Sequence, residues 1–159
     1  MAGDLTQLAY DEARAALREQ DATLTSVRNR ATGLLGAAAV ATSFSTTVGL
    51  LNVDPARGGV LPTWAGWVLL FSVVLIGVGV MVVLWPAPDW NFGPSARKLL
   101  DSVGAETDVV MQAATRAMIA GMASNDHRLK RRMTAYRASV VVLMAQLVLL
   151  VLAMIQARG

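Results

Sequence analysis

From Trp64 to Trp85 the chain reads WAGWVLLFSVVLIGVGVMVVLW, with no charge and no proline, so a helix built from it is apolar on every face. At about 1.5 Å rise per residue, roughly 20 apolar residues cross a hydrocarbon core of about 30 Å. A helix buried in a soluble domain rarely stays apolar all round for so long. Trp64 and Trp67 at one end and Trp85 at the other put amphipathic indoles where headgroups would receive them. This stretch predicts a membrane span.

Composition agrees, because 55% hydrophobic and 16% charged residues leave too little polar surface to cover a soluble domain of 159 residues. The net charge of +3 raises a nucleic acid polymer as a partner, but the excess lies beside apolar segments, where an anionic lipid bilayer accounts for it. The bilayer is the expected partner and nucleic acid is not. No cysteine is present, which removes disulfides, thiolate metal sites and thiol catalysis, and His127 stands alone. No metal or other cofactor is expected. The opening residues lack a secretory signal pattern, so the amino terminus is expected in the cytoplasm.

Residues 1–30 are charged and rich in Ala, Leu, Glu and Arg, which favours helix. Tyr10, Ala13, Leu17, Leu24, Val27, Ala31 and Leu34 occupy alternating heptad sites, with Gln20 the polar member. The phase continues across residue 30, predicting one cytoplasmic amphipathic helix continuous with a first span. That stripe can lie on the chain's own helices or pair with a second copy as a parallel coiled coil; heptad counting leaves both open. The first span, 31–53, is small and hydroxyl-rich. Gly33, Ala37, Ala41, Ser45 and Gly49 recur at every fourth position, the pattern that lets helix backbones approach in lipid, and are the expected packing and oligomerisation residues. Thr42, Ser43, Thr46 and Thr47 can bond their own helix; in an assembly Thr42 and Thr46 could instead face a pore. Residues 54–63, with Pro55, Gly58, Gly59 and Pro62, read as the turn of a hairpin completed by the span 64–85.

Pro86, Pro88 and Pro94 stop the helix, and Trp90 and Phe92 are expected at the interface. A short helix capped by Ser95 should run to about Ser102, with Gly104 breaking it. Val110, Ala114, Met118, Met122, Leu129, Met133 and Tyr136 then form a stripe interrupted by Asn125, so 86–135 is read as a cytoplasmic helical arm that packs on the first helix. Arg128, Lys130, Arg131 and Arg132 could hold an anionic ligand, but directly before a span they more often meet lipid headgroups. Residues 136–157 form the third span. Arg137 can snorkel from it, whereas Gln146, mid-span, should bond another helix or, less commonly, face a pore. With the amino terminus inside, only Arg57 and Arg158 of the 14 Lys and Arg lie outside, as the positive-inside rule requires. The expected fold is all-α, an integral membrane protein with three transmembrane helices.

No GxSxG, P-loop, HExxH or paired carboxylates in a cleft are visible, so an enzyme is not expected. SVRNRATGLLGAAAVATSF entering the first span, the short-loop hairpin, and LWPAPDWNFGPSARKLL after the second resemble small bacterial membrane effectors of the SLATT and Pycsar type. Arg30, Ala31, Leu34, Leu35, Trp85, Pro86, Trp90, Phe92 and Gly93 carry that likeness. What the resemblance implies is a homo-oligomeric, cytoplasm-facing effector of anti-phage defence, pore-forming or membrane-disrupting, which answers a cyclic nucleotide or cyclic oligonucleotide. The alternative from another class is a non-catalytic scaffold or accessory subunit of a bacterial membrane complex.

Overall fold

In a computed structural model the chain is helical throughout its long elements, and the structure describes residues 2–51, 63–88, 90–95, 97, 100–102 and 104–156. No strand occurs among them. Helix α1 spans Ala2–Leu51, α2 Thr63–Leu84 and α3 Thr107–Gln156. Neither long helix contains a proline. α2 stops where Pro86 and Pro88 follow it, and α3 begins after Gly104, whose φ of +104° suits glycine, with the Glu106 carbonyl accepting the first turn. The turn 54–62 lies outside the described residues, as do most residues of the short helix expected after Ser95, of which the Asp101 N–H to Arg97 carbonyl bond of 3.0 Å is described.

The arm 86–135 and the span 136–157 share one helix, because α3 passes from one to the other without a break. The reason is phase. Met118, Met122, Asn125, Leu129, Arg132, Tyr136, Ser139, Leu143, Gln146, Leu150 and Ala153 recur at alternating steps of four and three, and each is buried or half-buried. A change of solvent along a helix does not change its backbone conformation when its packing stripe stays in register. On α1 the heptad residues Ala13, Leu17, Leu24, Val27, Ala31 and Leu34 are all buried, Tyr10 and Gln20 are half-buried, and the series runs on through Ala38 to Ser45. The stripe is used inside the chain.

Two compact units divide the chain: Met1–Ser26 with Pro86–Arg131, and Val27–Trp85 with Arg132–Gly159. Of the eleven acidic residues only Asp54 belongs to the second, so the split by contact is also a split by polarity. In the first unit α1 and α3 run parallel. Gly3 lies beside Asp108, Ala13 and Leu17 pack on Met118, and the Gln20 amide donates to the Met122 carbonyl at 3.2 Å and to Asp126 at 3.3 Å.

In the second unit Val27, Ala31, Leu34 and Ala38 of α1 meet Ile76, Val80 and Val83 of α2 and Leu143 of α3. Here α2 and α3 are antiparallel: Trp85 meets Arg132, Gly79 meets Ser139, and Ser72 meets Gln146. Outside this core the apolar residues face outward, with Phe71 65% and Val141 67% exposed. α2 and α3 are both long and apolar enough to cross a membrane, and only 22% of the apolar window of each is buried within the chain, unlike the core helix of a soluble domain.

Close contact of α2 with α3 depends on Gly79, because a Cβ there would fall against the Ser139 hydroxyl and 3.4 Å from its Cβ. Gly79→Ala is expected to destabilise the chain by about 1–3 kcal/mol through overpacking. Adding Ser139→Ala should recover most of the loss in a thermal unfolding series. A single variant as stable as the parent would contradict this close approach.

Candidate functional site

The segment after α2 builds the most chemically distinctive region. Pro86 and Pro88 deny it helical hydrogen bonding, a turn closes from the Trp90 N–H to the Ala87 carbonyl at 3.1 Å, and Gly93 takes φ +117° beside Leu17. Trp90 is 5% exposed and Phe92 77%, so of the two expected interfacial aromatics Trp90 is instead packed within the protein. Asn125, which interrupts the apolar stripe of α3, is fully buried. Its Nδ2 donates to the Asn91 carbonyl at 2.9 Å and its Oδ1 accepts from the Asn91 N–H at 3.1 Å. A buried amide is tolerated because both ends are satisfied.

This strap forms one wall of a cleft of about 370 Å³, and α1 forms the other. Arg14 and Arg18 stand one turn apart on α1, with Asp21 following, and Tyr10, Trp90 and Phe92 supply aromatic surface. Guanidinium groups make charge-assisted bonds to phosphate or carboxylate, and aromatic faces stack on planar rings, so the cleft suits an anion that carries a planar ring. Its volume lies within the usual range for small-molecule sites, about 300–1,000 Å³. Neither arginine stands out in the sequence. The usable signal is their four-residue spacing off the heptad stripe together with the aromatic-rich turn after α2. Among the described residues no group of histidine, aspartate and glutamate is placed to hold a metal ion.

The basic run does not converge on one point. Lys130 pairs with Asp126 at 3.4 Å, Arg131 is exposed, and Arg128 is half-buried. Arg132 is buried and donates to the Trp85 carbonyl at 2.6 Å, placing a cation at the C-terminal end of α2, where carbonyls lack helical partners.

The other residues singled out in the sequence lie in the second unit. Thr42 and Ser45 bond their own i−4 carbonyls, at 2.8 and 2.6 Å. The side chain of Thr46 and the surroundings of Gly49 lie outside what the structure describes. Along the small-residue series Gly33 and Ala37 are exposed, Ala41 is half-buried and Ser45 is buried, because a step of four drifts around a helix of 3.6 residues per turn. Gln146 is 3% exposed and faces α2, where its Oε1 lies 3.0 Å from the Ser72 hydroxyl. That hydroxyl is also 2.9 Å from the Leu69 carbonyl, and its single proton serves only one acceptor. With Ser72 donating to Leu69, rotating the Gln146 amide by half a turn lets its otherwise unpartnered Nε2 donate to Ser72.

Family models, curated proteins and solved structures were all compared with the chain, and none matches. Among the described residues the geometry defines an all-helical protein, with two helices long and apolar enough to cross a membrane.

Two stability measurements follow from these contacts. Ser72→Ala leaves the buried Gln146 amide without its partner and should cost about 1–3 kcal/mol, whereas Gln146→Leu leaves Ser72 its bond to Leu69 and should be near neutral. Equal losses would refute the asymmetry. Arg132→Ala should cost about 1–3 kcal/mol by removing a charged hydrogen bond, against less than about 0.5 kcal/mol for exposed Arg131→Ala.

Proposed function

We propose that this protein is a bacterial inner-membrane effector that assembles with copies of itself and permeabilises the membrane when a cytoplasmic ligand occupies the cleft beside Arg14 and Arg18. In this reading the chain crosses the bilayer three times, with the second half of α1 as the first crossing and the amino terminus in the cytoplasm. The resemblance to SLATT and Pycsar-type effectors points to a cyclic nucleotide or cyclic oligonucleotide as the ligand. The observation that carries the reading is that one wall of the cleft, with both its arginines, belongs to α1, and α1 continues without a break into the apolar unit. A ligand that binds one arrangement of the cleft more tightly than another shifts the population of those helices by that difference and no more.

Self-assembly is supported on α1, where a methyl group added at Gly33 or Gly36 would meet nothing within 4 Å and Ala37 is exposed. Ser45 is used inside the chain, so Gly33→Leu and Ala37→Leu are the substitutions that should block assembly without crowding the chain's own core.

The test is dye release from liposomes of bacterial lipid carrying the purified chain, with calorimetric titration of cyclic mononucleotides and cyclic dinucleotides. The expected result is ligand-dependent leakage, with affinity lowered roughly tenfold or more in Arg14→Ala and Arg18→Ala, the equivalent of losing a charged hydrogen bond of about 1.5–3 kcal/mol. A chain that binds no nucleotide and never leaks is the result that contradicts the effector and favours the scaffold or accessory subunit.

A further inference from the structure

We propose that Asn125 is the positioning residue of the cleft: it touches nothing that would bind there, yet it sets where the strap wall stands. The proposal rests on reading the cleft as the ligand site. Asn125 is absent from the cleft lining, whereas Trp90, Asn91, Phe92 and Pro94 all line it and all lie within three residues of Asn91. Both ends of the Asn125 amide go to the backbone of that one residue, as a neighbouring β-strand would hold it, but with a single rung.

Gly121, one turn earlier on the same face of α3, supplies the seat. A Cβ there would stand 3.0 Å from the Asn91 Cβ, so a larger residue would press the strap outward by a few tenths of an ångström. The neighbouring α1–α3 contact packs Ala13, Leu17 and Met118, with Tyr10 and Met122, and the amide it uses is that of Gln20, bonded to Met122 and Asp126. An apolar side chain at 125 would serve that packing; asparagine serves the strap.

A clamp at Asn91 therefore fixes the aromatic wall offered to a ligand.

Hydrogen–deuterium exchange of the full chain in detergent micelles tests this without any ligand. In Asn125→Ala the amides of residues 86–95 should exchange at least tenfold faster, while peptides from 10–30 and 110–130 keep the parent rates. Gly121→Ala, which keeps the clamp and crowds the seat, should give a smaller, severalfold acceleration in the same segment, and it decides the matter if Asn125→Ala does not fold. Parent-like exchange in 86–95, or equal acceleration throughout 110–130, would overturn the proposal, since the first leaves the strap held by other groups and the second makes Asn125 a general core residue. Titration of the parent with cyclic mononucleotides and cyclic dinucleotides separates the two questions: absence of binding to both removes the ligand reading, while the exchange rates still decide what holds the wall.

Discussion

Side chains that return to the same face at alternating steps of three and four hold this chain together. Along α1 the stripe runs from Tyr10 to Ser45, and along α3 it extends through Ala153. Because an interval of seven residues falls slightly short of two straight helical turns, helices packed along such a stripe coil gently around each other and keep the contact over many turns. That constraint explains why charged and apolar halves share one helix. The side chains on the outer faces change from charged to apolar, while the packing face keeps its register.

The register is marked by polar residues rather than by shape alone. Asn125, Arg132, Ser139 and Gln146 are seven residues apart on α3 and all are buried. Each has a distinct use: Asn125 holds the Asn91 backbone, Arg132 ends α2, Ser139 bonds the Ala135 carbonyl beside Gly79, and Gln146 meets Ser72. An apolar stripe of Leu and Val can slide by a heptad at little cost. Four different polar groups cannot, because a slip would set Gln146 or Arg132 against apolar neighbours with nothing to bond. Burial of these groups is best understood as selecting one alignment, as single polar residues do in coiled coils.

Much of this was legible in the sequence, and the limits have physical causes. The α1 heptad from Tyr10 to Leu34 identified its buried residues because a period of 3.5 survives whichever partner covers it. Gly104 was legible as a break, and the i−4 bonding of Thr42 follows from hydroxyl geometry on any helix. The continuity of α3 across residue 135 was not legible because composition reports solvent, not backbone. Arg132 was grouped with its basic neighbours because a run of cations gives no hint of which one turns inward. Trp90 and Asn125 were each read alone, as an interfacial ring and an interruption, whereas they belong to one construction that joins segments 34 residues apart. Such pairings are invisible to periodicity, which reports one helix at a time.

The alignment of α2 against α3 is the contact on which the rest turns, and the absence of native cysteines makes it directly measurable. The Cβ positions of residues 79 and 139 are 3.4 Å apart, close to the separation a disulfide needs, about 3.5–4.5 Å. Mild oxidation of the Gly79→Cys/Ser139→Cys chain in native membranes should therefore give rapid intramolecular cross-linking. Chains carrying Gly79→Cys/Gln146→Cys or Ser72→Cys/Ser139→Cys, each displaced by a heptad, should stay reduced. Comparable cross-linking in a displaced pair, or none in the aligned one, would contradict a single fixed register.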